Sequence, residues 1–375
     1  MWFYRISPLA FATLAFGESH YFFSGFFAGS TIVGVTFDDA TSTLSLVNNI
    51  TTQATSGSKW IAIDARKQNI YVATTGAFQS YAITANKSLE FSTEIALSSD
   101  CQNANYLTAA SASNYTVFGT PYSTGCSTQA VSVDDSGALK MVTANLTYNS
   151  KAGVHGIDLS PDNAFVYSGD DMGNAVWVHS YDQETQTATE IQYLAAPSGA
   201  NPRHLAVHPN GEWVYVIYEE ANSLAIYKRD NFTGLLTDTN TTYSLLPSNI
   251  TDLSSYWSDE AKFSIPSTNS STTSPKYLIT GTRSHSTSIL GYTSAFALDP
   301  ITGAITEQLF ITPTTGSGGS ANAVSPAPFS EEYYAITDSG SNFLEMWKIG
   351  DDGKSAAAVA HLGLNGAPAN VVWTN

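Results

Sequence analysis

One pattern recurs along this chain and limits what it can fold into. An apolar strand is followed by a turn rich in Pro, Asp, Asn or Gly, then by a second strand of aromatic and β-branched residues. Ser160-Pro161-Asp162-Asn163 leads to Phe165-Val166-Tyr167, and His208-Pro209-Asn210-Gly211-Glu212 leads to Trp213-Val214-Tyr215-Val216. Asp64-Ala65-Arg66-Lys67 leads likewise to Asn69-Ile70-Tyr71-Val72. Such turn chemistry between short β-branched runs marks antiparallel hairpins. A third strand follows, as in Ala175-Val176-Trp177-Val178, Leu224-Ala225-Ile226-Tyr227 and Phe343-Leu344-Glu345-Met346-Trp347. Turns such as Asp299-Pro300-Ile301-Thr302-Gly303 lead to a fourth, and almost nothing shows helical periodicity.

Trp60, Asn105, His155, Arg203, Asn322 and Asn370 each open the first strand of a unit. Neighbouring openers stand about 45 to 50 residues apart, except from Arg203 to Asn322, an interval about twice as long. A seventh unit therefore lies in that interval. The spacing predicts an all-β, seven-bladed β-propeller with four antiparallel strands per blade. The long interval carries an insertion from Thr237 to Ser274, ending in the low-complexity run Ser267 to Ser274. It reads as a glycosylated surface loop or as a disordered lid. The strand Asn370 to Trp373 has no blade of its own. It is expected to pair beside Tyr21-Phe22-Phe23 and Ile32-Val33-Gly34-Val35, closing the ring and removing open sheet edges.

The N-terminus reads as a secretion signal over residues 1–17, leaving the propeller to occupy 18–375. Arg5 supplies the positive end, Leu9 to Phe16 a short apolar stretch interrupted at its start by Pro8, and Ala15 and Gly17 a small-residue cleavage pattern. The alternative is a buried first strand. Cys101 and Cys126 are the only cysteines and could close one loop in an oxidising compartment. Asn49, Asn86, Asn114, Asn145, Asn231, Asn240, Asn249 and Asn269 each begin an N-x-S/T sequon, the signature of N-glycosylation in an exported chain. The chain is expected to be secreted, with the extracellular matrix or cell wall as a further place of contact.

The formal net charge is −17, yet charged residues make up only 13% of the chain. Such a balance repels nucleic acid and anionic lipid. No internal apolar run is long enough to cross a bilayer. A cysteine cluster of zinc spacing, a phosphate-binding glycine loop and a nucleophile elbow are all missing from the sequence.

In a propeller the first strands line a central channel, so their opening residues converge on one mouth. Asn105, His155, Arg203, Asn322 and Asn370 belong there. The chain has five arginines, and one of them, Arg203, opens an inner strand, while Arg283 ends the strand begun at Tyr277. Glu219, after the strand Trp213 to Tyr218, is expected one blade position from Arg203. A buried carboxylate beside arginines is either their counter-ion or an acid/base group. His204 and His208, four apart, read as packing or turn residues.

Five motifs carry a resemblance: Gly153-Val154-His155-Gly156, Asn201-Pro202-Arg203-His204, Tyr218-Glu219-Glu220-Ala221-Asn222, Thr282-Arg283, and Ser320-Ala321-Asn322-Ala323-Val324-Ser325-Pro326. Together they resemble motifs of the fungal 3-carboxy-cis,cis-muconate lactonizing enzymes, within the wider seven-bladed lactonase family. The resemblance spans Tyr21 to Trp373. It implies a seven-bladed fold and a metal-free, cofactor-free lactonization of a small carboxylate, or opening of a lactone. The family's proposed catalytic histidine and glutamate match His155 and Glu219, and its two arginines, which grip substrate carboxylates, match Arg203 and Arg283. Ser320 stands where the family motif often has a histidine, a departure that bears on specificity if that histidine touches substrate.

Two function classes follow. One is a lactone-forming or lactone-opening enzyme, with His155 or Glu219 as proton donor. The other is an extracellular or cell-wall glycoprotein that uses the propeller for binding. Export favours the second, because muconate catabolism is usually intracellular; the polar set at the mouth favours the first. An acidic surface suits a carboxylate ligand poorly unless arginine charge in a narrow channel outweighs it, salt screening the surface field beyond about 8 Å.

Overall fold

A computed structural model describes residues 17–112, 114–266 and 273–374. It forms seven four-stranded antiparallel sheets arranged as blades around a channel. The expected secretion signal lies almost wholly outside the described residues, as does Asn269. Among the described residues no helix is long and apolar enough to cross a membrane.

The predicted turns form as their chemistry dictates. Lys67, Asn163 and Gly211 each donate a backbone bond to the carbonyl three residues back, at 2.8 Å, and each takes positive φ. Asn and Gly tolerate that conformation and fix the hairpin register. The second strand of a blade lies between sheets and is buried along its length, as in Asn69–Thr74 and Phe165–Asp170. The fourth, at the rim, buries little, as in Thr187–Ala195. One side chain of the repeat ties blade to blade. Tyr71, Tyr167 and Tyr215 sit at matching places in their second strands, and their hydroxyls donate to the carbonyls of Gly137, Gly234 and Gly303 in the next blade, at 2.7 to 3.0 Å. Each of these glycines has positive φ in the outer hairpin.

The ring closes as expected. Pro368–Trp373 is the innermost strand of the sheet formed by Ser19–Phe26, Thr31–Asp38 and Thr43–Thr51, with Phe22 opposite Trp373 and Phe23 opposite Val372. Cys101 and Cys126 are bonded, Cα atoms 5.8 Å apart.

One expectation is corrected. The stretch Thr237 to Ser274 is not a single inserted loop: it holds most of the outer strand Leu236–Ser244 and all of Tyr256–Phe263, the first strand of the sixth blade. That strand carries charged side chains inside the channel, so it lacks the apolar pattern of its counterparts.

Candidate active site

Five first strands carry one extra residue near their start. Ala104 faces Pro121 and Tyr106 faces Thr120, leaving Asn105 unpaired between them. His155 is left out in the same way between Val154 and Gly156, and Asp259 between Ser258 and Glu260. The slip falls between Pro202 and Leu205 around Arg203 and His204, and between Pro368 and Val371 around Asn370. A bulge releases a residue from the ladder and re-aims its side chain. Here it turns polar residues toward the channel axis.

His155, Arg203, Glu219, Arg283, Asn105 and Ser320 line one cavity of about 330 Å³, walled by Trp60, Tyr122 and Trp257. Asn322 and Asn370 do not. Asn322 is buried behind the wall, its amide donating to the Thr282 carbonyl at 2.8 Å. Asn370 clamps the neighbouring strand, accepting from Ile61 N–H at 3.0 Å and donating to its carbonyl at 2.8 Å. It borders a second cavity with Lys262, Val324 and Trp373. Glu219 and Arg203 belong to one blade rather than to neighbours, since Pro202–Val207 and Trp213–Tyr218 share a sheet.

The two arginines are not free. Asp259, absent from the expected set, receives Arg283 Nε at 2.7 Å and lies 3.2 Å from Arg203 Nη1. Glu219 Oε1 accepts from Arg283 Nη2 at 3.0 Å and lies 3.2 Å from Arg203 Nε. The guanidinium of Arg283 also stacks 4.2 Å from the centre of the Trp257 ring. Arg203 Nη2 takes no part in these bonds. A third carboxylate, Asp171, is held by the Tyr122 hydroxyl and senses Arg203.

Three carboxylates thus share two guanidiniums in a buried place, and one must yield. Burial pushes Glu219 up to about 7; Asp171 and Asp259 push the same way, while Arg203 and Arg283 resist. Asp171 is also raised, chiefly by burial. His155 is held well below its usual 6.5 by burial, by Arg203, by His204 and by Arg283. At neutral pH the imidazole is therefore neutral, while Glu219 exchanges a proton. Among the described residues no group of three or more His, Cys, Asp or Glu is arranged to hold a metal ion.

His204 departs from its expected packing role. Its ring nitrogen lies 3.0 Å from His155 Nδ1 in the channel. Gly156 makes this possible, because a Cβ there would stand 2.4 Å from His204 Cδ2. His208 does sit in a blade turn, accepting at Nδ1 from Asn210 N–H at 3.2 Å.

This fold and site define a propeller that gathers an acid, an imidazole and paired arginines at one channel mouth. The chain belongs to the seven-bladed β-propeller lactonase family, whose pattern matches residues 22–311. Its relatives include the carboxy-cis,cis-muconate cyclase of Neurospora crassa, 28% identical over 357 residues that cover 91% of this chain and 95% of that protein. Muconate cycloisomerase 1 of Cutaneotrichosporon cutaneum is 30% identical over 239 residues, 59% of each chain. In three dimensions the chain is similar to the periplasmic gluconolactonase PpgL of Pseudomonas aeruginosa, with TM-score 0.78 at 16% identity, covering 95% of this chain and 99% of that one. The last likeness is one of fold alone.

Proposed function

We propose that the cavity closes a cis,cis-muconate into a lactone, or opens the lactone in reverse. The observation that carries this reading is Glu219, a carboxyl group pushed up to about 7 while it touches both arginines. Similarity to the Neurospora cyclase supports the substrate class. A substrate carboxylate oxygen adds to the carbon–carbon double bond, forming the C–O bond. The π electrons move onto the carbon beside a second carboxylate, and that carbon takes the proton of Glu219. Solvent then reprotonates Glu219. Arg203, through Nη2, holds a substrate carboxylate in attack geometry. His155 has no imidazolium proton to give at neutral pH, so the proton comes from Glu219, and the neutral ring serves the cavity as a hydrogen-bond acceptor. These steps need only side chains present in the cavity. Purified protein incubated with 3-carboxymuconate near neutral pH is expected to bleach the ultraviolet absorbance of the conjugated diene. An unchanged spectrum, with no lactone turned over either, would leave the binding-glycoprotein reading in possession of the fold.

That second reading has one observation in its favour. The sequon asparagines Asn49, Asn86, Asn114, Asn145, Asn231, Asn240 and Asn249 are all exposed, and none lines the cavity. With the Cys101–Cys126 bond they support export, which is compatible with either function. The mature chain is expected to begin near Glu18 and to lose mass on treatment with an N-glycosidase. N-terminal sequencing that returned Met1 on unglycosylated intracellular protein would refute this.

A further inference from the structure

The lactonizing step leaves unused a line of polar groups that runs down the channel behind His155. His155 Nδ1 lies 3.0 Å from His204 Nε2. His204 Nδ1 lies 3.2 Å from Glu260 Oε2, both side chains 1% exposed. Glu260 Oε1 lies 3.5 Å from Lys262 Nζ, which donates to the Tyr106 hydroxyl at 3.0 Å. The His204 ring is fixed edge-on against Trp60 and Tyr106, with centroids 5.2 and 4.8 Å away. The His204–Glu260 contact lacks hydrogen-bond alignment, so what acts across it is charge: a buried carboxylate at 3.2 Å attracts an N–H and repels a lone pair.

Charge at the far end sets each proton in the line. Lys262 is an ammonium, which Glu260, Tyr106 and Asp158 hold charged against the cost of burial. Its charge makes Glu260 the acceptor at the far end, although burial raises that carboxyl group against the pull of Lys262 and Arg203. Facing that carboxylate, His204 carries its proton on Nδ1. His204 Nε2 is left with a lone pair, so the proton between the rings sits on His155 Nδ1. We propose that His204 and Glu260 are positioning residues that hold His155 as the Nδ1–H tautomer and present its Nε2 lone pair to the cavity. Asn105 does not choose between the tautomers, since its amide nitrogen lies 3.3 Å from Nδ1 and 3.4 Å from Nε2 and donates to the His155 carbonyl at 3.2 Å. The two rings are neutral, as the line requires: burial and Arg203 hold both well below their usual value. The charged and titratable groups facing the line are Arg203, Arg283, His204 and Tyr122 around His155, Lys262 and Arg203 around His204, and Asp158, Lys262 and Arg203 around Glu260. In metal and acid–base sites such a partner fixes ring tautomer and orientation in the same way.

The role assigned to Nε2 rests on the reading of the cavity as an active site, but the tautomer does not, and it is measured without turnover. Two-bond 1H–15N correlation spectra of the 15N-labelled full chain at neutral pH are expected to show His155 protonated at Nδ1 and bare at Nε2. His204→Phe, which keeps a ring between Trp60 and Tyr106, is expected to shift His155 toward Nε2–H. It should lower kcat about 10- to 100-fold with KM little changed. His204→Gln offers a carbonyl to His155 and an amide N–H to Glu260, and is expected to restore both the tautomer and most of the rate. If His204→Phe does not fold, Glu260→Met provides the same reading by removing the carboxylate and leaving no oxygen to face His204. An Nε2–H signal for His155 in the wild-type protein overturns the inference, as does an unchanged tautomer in a folded His204→Phe or Glu260→Met variant. A wild-type protein with the expected tautomer but no lactone chemistry would fail the proposed function and leave this inference standing.

Discussion

Asp259→Ala is expected to unfold at a much lower urea concentration than the wild-type protein, with about 3 to 5 kcal/mol lost. The reason lies in what the substitution leaves behind. Asp259, 1% exposed, is the shared counter-ion of Arg203 and Arg283. Its other oxygen accepts from the Asn322 backbone N–H at 3.3 Å. Removing it strands two guanidiniums in a place with little water, and Glu219 alone cannot neutralise both. The pair Lys354–Glu307 is a useful contrast: at 2.7 Å it is as short as any of these contacts, but its side chains are 59% and 52% exposed. Lys354→Ala is expected to leave the urea midpoint where it is, because water and salt already screen that pair. Equal midpoints for Asp259→Ala and the wild-type protein would mean that the arginines are not held by Asp259 in solution.

Glu219→Gln is expected to lower turnover of a muconate by about 10²- to 10⁴-fold, the range that one positioned acid contributes. Glutamine keeps an oxygen for the guanidiniums, so KM should move far less than kcat. The pH profile is the sharper test. In the closing direction the active form is the protonated carboxyl group, so the wild-type rate falls as pH rises through about 7, where Glu219 ionises. Glu219→Gln should lose that limb. The same shift acts on stability. Glu219 is raised from 4.5 to about 7 in the folded protein, so its contribution is complete below 4.5 and is lost as pH rises to about 7. A variant that keeps the limb unchanged would assign the acid to another group.

The blade repeat is legible in the sequence because turn chemistry and strand chemistry agree at each unit. Lys67, Asn163 and Gly211 close the same kind of turn, and Tyr71, Tyr167 and Tyr215 follow at the same distance. Ring closure is legible for a similar reason, since the strand ending at Trp373 has no other partner. The sixth blade is the exception. Its first strand reads Tyr-Trp-Ser-Asp-Glu-Ala-Lys-Phe from Tyr256 to Phe263, which has the polarity of a loop. The charges at Asp259, Glu260 and Lys262 sit inside the channel, so the segment breaks the strand rule where it serves the site. His155, Arg203, Glu219 and Arg283 are legible through their motifs. Asp171 and Tyr122 leave no local signal, because what brings them to the cavity is a contact between blades. His204 had one signal, adjacency to Arg203, but a strand of alternating faces would turn it away from the site. Only the bulge places both on the channel side.

That bulge separates two jobs which a regular strand would force on the same residue. Paired neighbours such as Val154 and Gly156 hold the blade together, while the residue between them makes no ladder pair and turns its side chain to the cavity. Each bulged blade therefore offers one side chain freed from the ladder, and Asp259 and Asn370 use that freedom to tie one strand to another. Asn105, His155, Arg203 with His204, Asp259 and Asn370 occupy five such positions. A propeller built this way gathers residues distant in sequence at one mouth without breaking its ladders, so one architecture can carry different chemistry.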